Sequence, residues 1–510
     1  MTSFPPRGRH RRATSPLSAR VVHALIGTVV ALLWLVWPEL TAAPSGDRPA
    51  AAGSAPPAAR QEVEQTPTAD LVLPLVALVT AAVLAGYGYL RRTRRARDRT
   101  APGPVPSAAP AVPPPGPELD ARARSLLVEA DEWVRTSREE LACAEAVTGP
   151  GPVEPFARAV RQAEWELSAA FAMRQRYDDG VPCEASARRQ ALAGIVGRCA
   201  EAGRRLDAVA AGFDAVRGLE QGLGPALEVA EAGFREVAAR TPAAEATLAG
   251  LARRYGPTAV DLVAGSVEGA KDHLVRTTFR LNQARQSADS GAPDRAAARL
   301  RAAEEALGRA AAPVAAVDRL AGELSRARAL LPAVLTGAEV EIAAARDRMA
   351  AGPVAGDLPV GELRSRLLHA DTVLAGVRQA LTGGPFDPLD ALRRIVRAVR
   401  PVAAGRAGVL PVAAELVARS TTAVAAGFVA AHREAVGAEA RTRLASAERL
   451  LAGDRPGAGP SDDDLLTADA LARTALHLAR QDTRTPGTPH PPAASFGGPR
   501  SRTRRNVLPS

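Results

Sequence analysis

Residues 188–220 read RRQALAGIVGRCAEAGRRLDAVAAGFDAVRGLE. Leu192, Ile195, Cys199, Ala202, Leu206, Val209 and Phe213 recur in steps of three and four, with arginine and acid between them. That period lays an apolar stripe along one side of a helix and leaves charge on the other, the pattern of bundles and coiled coils. The same register runs through Val160, Ala163, Leu167 and Ala170, and through Leu363, Leu367, Ala370, Leu374, Val377 and Leu381. No stretch sustains a period of two, so the body is expected to be all-α. With 3% aromatic residues and three cysteines in 510, a β-sandwich and a disulfide scaffold are both disfavoured.

The helical pattern is broken by short turns with cap chemistry. Gly149-Pro150-Gly151-Pro152, Asp178-Asp179-Gly180-Val181-Pro182, Gly256-Pro257 and Gly383-Gly384-Pro385 each end a helix. Asp387-Pro388 offers an N-cap acceptor and a proline suited to the first helical position. Residues 281–307, 373–395 and 443–476 each read as helix, turn, helix. Their spacing is irregular, which predicts antiparallel helical hairpins and no named solenoid.

Outside this body, 118–482, the chain changes character. VVHALIGTVVALLWLVW at 21–37 and LVLPLVALVTAAVLAGYGYL at 71–90 carry no charge. As helices they reach roughly 25 and 30 Å, against a hydrocarbon core of roughly 30 Å. Residues 1–20 are basic, the 38–70 loop is acidic and Pro-rich, and Arg91, Arg92, Arg94, Arg95, Arg97 and Arg99 follow the second stretch. Arginine on both outer flanks places the N-terminus and the helical body in the cytoplasm and 38–70 outside. The first stretch reads as a transmembrane helix or uncleaved signal anchor. Its rival reading is a cleaved signal ending near Thr41-Ala42-Ala43, which leaves a single span. Residues 91–117 combine the basic run with a proline-rich spacer, and 483–510 read as a disordered basic tail. In the second stretch Ala81 with Ala85, and Ala82 with Gly86, form small-residue faces suited to close packing of two such helices, hence to a homo-oligomer.

The net charge of +10 is carried by these flanks; the body by itself is about −2, which argues against nucleic acid as a partner. Gly265-Ser-Val-Glu-Gly269-Ala-Lys271 misses the phosphate-loop spacing and reads as a helix start. Cys143, Cys183 and Cys199 have no metal spacing, and Cys199 sits in the apolar stripe. His273, His369, His432 and His477 are scattered, and His432-Arg433-Glu434 reads as a surface ion pair on a helix. Arginines and acids elsewhere interleave as solvated helix faces do. Trp133, Trp165, Phe171 and Phe213 are expected in the core. No nucleophile with a base can be assembled, so no catalytic residue, cofactor, metal or small-molecule substrate is assigned.

Residues 118–142, 188–220, 281–291, 384–395 and 431–451 resemble the cytoplasmic helical region of actinobacterial TPM-domain membrane proteins. The likeness runs from about 71 to 482. It implies an extracytoplasmic TPM domain, a transmembrane helix and a long helical cytoplasmic part. The phosphatase-like activity suggested for some relatives belongs to the TPM domain, and 38–70 is far too short for that α/β unit. The expectation is therefore a non-catalytic scaffold or partner-docking protein at the inner face of the plasma membrane, contacting the bilayer and an unknown protein. The alternative is a membrane signalling subunit that relays an outside signal from a separate partner.

Overall fold

A computed structural model of the chain describes residues 116–352, 359–453, 459–484 and 495–502. All belong to the second of two units into which the chain divides, Pro110–Ser510. Among the described residues all regular structure is helical, as the three- and four-residue stepping requires. The spans 21–37 and 71–90 and the loop between them lie outside the described residues. So do Arg91, Arg92, Arg94, Arg95, Arg97 and Arg99 of the basic run. The proposed packing faces, Ala81 with Ala85 and Ala82 with Gly86, lie outside them as well.

Helices α1 (Gly116–Thr148), α2 (Pro150–Asp178) and α3 (Ala185–Arg217) pack against one another as a three-helix bundle. Gly149 alone separates α1 from α2; its φ of 78° lets the chain reverse in one residue. Leu192, Ile195, Cys199, Ala202, Leu206 and Phe213 are all buried in this core, as their register predicts. The buried stripe passes through Ala210, with Val209 only partly covered. Trp165 departs from expectation: it is 63% exposed. It lies two residues from both Ala163 and Leu167, about 200° around the helix from that buried stripe.

The next three helices are α4 (Gly224–Tyr255), α5 (Ser266–Asp289) and α6 (Pro293–Ala351). Ser266 opens α5 where the helix-start reading of 265–271 puts it. The three-residue turn 290–292 folds α6 back along α5, so 281–307 is the hairpin its sequence describes. At 59 residues, α6 is about 90 Å long and is the spine of the body. Pro313 and Pro332 each remove a backbone donor from it. Burial of Ala310, Val314 and Val317 around the first, and of Leu331, Val334 and Leu335 around the second, keeps the helix continuous.

Helices α7 (Val360–Gly383), α8 (Pro388–Val399) and α9 (Val409–Ala431) pack around a core shared with the C-terminal half of α6. Asp387 caps α8 as predicted, its Oδ1 accepting from the N–H of Leu389 at 2.9 Å and of Asp390 at 3.1 Å. Helices α10 (Ala438–Ala452) and α11 (Asp462–Arg484) close a third bundle with α9. Helix α10 also rests on α1 and α2, which joins the last bundle to the first. One described helix, α9, is long and apolar enough to cross a bilayer; half of that stretch is buried inside the body.

The chain between α8 and α9 is fixed by a buried carboxylate on the spine. Glu341 accepts the N–H groups of Ala404 and Ala407, each at 2.6 Å. Burial alone would raise its carboxyl, but these backbone donors and Arg406 hold it below the ordinary 4.5. The native carboxylate therefore binds protons less readily than in the unfolded chain. Its contribution is complete above about pH 4.5 and is lost as pH falls through the native value. In a denaturant series across pH 3–6, Glu341→Gln is expected to be less stable than the parent at pH 6. The difference should shrink as the solution is acidified.

Candidate functional site

Sequence alone reads the arginines and acids of the body as solvated helix faces. The structure corrects this for a set of arginines whose side chains are almost wholly enclosed: Arg174, Arg217, Arg433 and Arg441. His432-Arg433-Glu434 is likewise not a helix surface. It begins the turn between α9 and α10, and only His432 and Glu434 face solvent to any extent, while Arg433 is 2% exposed.

Arg433 meets three acids from two helices. Its Nη1 donates to Glu139 of α1 at 3.1 Å, Nη2 pairs with Glu305 of α6, and Nε lies 3.7 Å from Glu132 of α1. Arg441 of α10 pairs with Asp131 and, at 2.9 Å, with Glu132. Its Nε donates to the Val436 carbonyl at 3.1 Å, and Nη2 to the Arg433 carbonyl. Further along α1, Arg217 at the end of α3 pairs with Glu304 of α6 and approaches Glu140 at 3.6 Å. Together these contacts tie α1, α3, α6 and α10 to one another.

Burial favours the neutral form of Arg433, Arg441, Arg217, Asp131 and Glu304, and the opposite charges prevail at all of these but Glu304. For Arg433 desolvation is outweighed by Glu139, Glu132 and Glu305, which hold the guanidinium charged. Asp131 is kept below the usual carboxylate range by Arg135 and Arg441 against its own burial. In Glu304 burial wins over Arg217, and the carboxyl is raised. Beside it, burial and Glu304 push the Cys143 thiol well above its ordinary value, and burial pushes Cys199 up to about 12. Thiols so raised are poor nucleophiles, and guanidinium groups give up no proton. Chemically this lattice is a clamp. Among the described residues no cluster of three or more His, Cys, Asp or Glu is arranged to hold a metal.

A second feature lies on the first bundle and involves part of 483–510, the stretch expected as a disordered tail. Within that stretch residues 495–502 are seated in a groove between α1, α2 and α3. Phe496 is 1% exposed; its ring stacks on Phe213 at 4.2 Å and meets Phe156 edge-on at 6.4 Å. The N–H of Gly497 donates to Ser137 Oγ at 3.1 Å. Asp207 of α3 accepts from the N–H groups of Gly498 (3.0 Å), Arg500 (3.1 Å) and Ser501 (2.9 Å), and from Ser501 Oγ at 2.7 Å.

Two glycines make the fit feasible. A Cβ on Gly498 would run into the carbonyl oxygen of Gly203 on α3, so the two backbones touch. At Gly497 φ is 121°, a conformation side-chain-bearing residues rarely adopt. Gly203 in turn leaves room for Pro499 and the Trp133 ring, 2.8 and 2.9 Å from where its Cβ would stand. The sequence reading misses the whole site because the segment has no period. The available signal is Phe496, a lone aromatic in a Pro- and Gly-rich stretch, followed by Gly497-Gly498-Pro499.

Fold and site together define an all-helical body with a buried ionic clamp and a groove that holds a short segment, a bend at 495–497 leading into a helical turn at 499–502. No family model and no solved structure matches the chain. It is similar to UPF0603 protein Rv2345 of Mycobacterium tuberculosis strain ATCC 25618 / H37Rv, at 30% identity over 386 residues. UPF0603 protein MT2410 of strain CDC 1551 / Oshkosh matches to the same extent. The alignment takes in 72% of this chain and 58% of either relative, so the chain spans less than two thirds of the curated relatives' length.

Removing one member of a buried ion cluster strands the rest. Arg433→Met leaves Glu132, Glu139 and Glu305 without their shared cation and should cost about 3–5 kcal/mol in chemical denaturation. Adding Glu139→Gln is expected to recover part of the loss, because Glu132 keeps Arg441 and Glu305 keeps Arg309 while Glu139 is paired through Arg433.

Proposed function

We propose that this protein is a non-catalytic docking scaffold held at the inner face of the plasma membrane. The observation that carries the reading is the groove on the first bundle. It seats a short segment through one aromatic anchor and a row of backbone hydrogen bonds, a mode suited to recognising peptides. The enclosed arginine lattice supports it by holding the helices that line the groove in fixed relation, so that the site is preformed. The mixed-charge outer faces of the body and the exposed Trp165, with Arg198 5.5 Å above its ring, suit further protein contact.

Membrane attachment enters through the sequence. The uncharged stretches 21–37 and 71–90, the arginines at 91–99 behind them and the resemblance to the helical region of TPM-domain membrane proteins all favour it. In this reading the arginine run also meets anionic headgroups, and the proline-rich 101–117 segment spaces the body from the bilayer. The small-residue faces of Ala81 and Ala85, and of Ala82 and Gly86, would let two copies of the second span pack closely.

Fractionation of cells expressing the tagged full chain tests the attachment. The protein is expected with membranes at high salt, and deletion of 71–90 should move most of it to the soluble fraction. Protease added outside intact cells should leave the helical body whole. Recovery of the parent chain in the soluble fraction, or digestion of the body from outside, overturns the membrane assignment.

A further inference from the structure

We propose that the groove on α1–α3 is an exchangeable site for an aromatic-Gly-Gly-Pro segment, and that its partner in trans is the same segment of a second copy of this chain. The inference rests on the reading of the body as a peptide-accepting scaffold and names the peptide.

The 495–502 segment meets Trp133, Ser137, Phe156, Gly203, Asp207 and Phe213 of the first bundle. One ring is its apolar anchor and one carboxylate receives most of its polar atoms. Every anchoring group falls within eight consecutive residues, so the segment carries its recognition determinants with it, as a short peptide ligand does.

Connection to the body is indirect. Helix α11 ends at Arg484, and residues 485–494, with Pro486, Pro489, Pro491 and Pro492, stand between it and Ser495. Ten residues reach at most about 35 Å, and a tether of that length holds the segment at a high effective concentration near any groove within its reach. Nothing in the contacts requires that the segment come from the same chain. Exchange between two copies replaces every hydrogen bond and the ring stack one for one, the condition under which swapping costs little beyond association itself.

The identity of the partner follows from the groove's selectivity. It needs a flat ring against Phe213 and Phe156, a glycine at positive φ, a second glycine where Gly203 closes in, and amide and hydroxyl donors directed at Asp207. A second copy presents that set by construction. Copies sharing one membrane face meet at raised local concentration, which favours the exchange.

Two variants of the full chain in detergent separate the groove from its ligand. Phe496→Ala keeps the groove and spoils the segment; Asp207→Ala spoils the groove and keeps the segment. A labelled peptide of residues 493–502 is expected to bind the Phe496→Ala chain at least tenfold more tightly than the parent, whose groove is filled in cis. The same peptide with Gly498→Ala should not bind, and that control needs no altered protein. Mixed in two colours, the variants should form hetero-dimers, read by energy transfer, well above the level of either alone. Excess peptide should dissolve them. Circular dichroism shows whether both variants remain folded.

Absence of peptide binding to Phe496→Ala, or equal binding to the parent, overturns the exchangeable site. Peptide binding without mixed dimers overturns the second copy as partner and leaves the docking scaffold standing.

Discussion

A guanidinium enclosed by protein is held there only by acids close enough to replace its water, and Arg433 is the case on which this body turns. Its three acids come from α1 and α6, while the arginine itself sits in the α9–α10 turn. The first bundle, the spine and the last bundle are thereby brought to one point. The net stabilisation from such a cluster is small, because desolvation cancels most of the Coulomb attraction. Its effect is on specificity. An Ala-rich helix can slide along its neighbour by a turn and bury nearly the same area, but sliding α1 would part Arg441 from Asp131 and Glu132, Arg433 from Glu132 and Glu139, and Arg217 from Glu140. The ionic lattice fixes a register that the apolar stripes alone leave loose.

That register has a consequence elsewhere on α1. Trp133 and Ser137 lie on the same helix as Glu132, Glu139 and Glu140, displaced around its axis. Whatever fixes the acids also fixes the ring and the hydroxyl that line the groove. The site on α1–α3 is thus preformed by charges it never touches, and the 495–502 segment meets a surface whose shape is set before it arrives.

What could be read in the chain divides by physical range. Helix type, the breaks at 149–152, 256–257 and 383–385, and the Asp387 cap depend on neighbours within four residues, and all appear where the period and turn chemistry put them. Trp165 departs because residue type predicts an aromatic inside, while its phase on the helix points outward. Arg433 fails for another reason. At the level of spacing, an arginine paired four residues away with a surface acid and an arginine buried against a helix more than a hundred residues distant look alike. The 495–502 segment is the extreme case: its order comes from residues some 290 to 360 positions earlier, and its own composition resembles that of a free tail.

The scarcity of aromatic side chains bears on how this body can bind anything. Cores lined by Ala123, Ala163, Ala202 and Ala210 bring helix axes close, and close helices leave little room for an interior pocket of the kind that holds a small ligand. Recognition is then displaced to the seams between helices, where a missing Cβ makes the only depth available. Gly203 supplies that depth, with Phe213 and Phe156 as walls. An occupant of such a seam must be narrow where the backbones meet and broad where the rings stand apart. Phe496 followed by two glycines has that profile. The chemistry of the groove therefore selects a ring and two glycines that lead into a helix start, with Asp207 receiving the N–H groups that open the turn at 499–502.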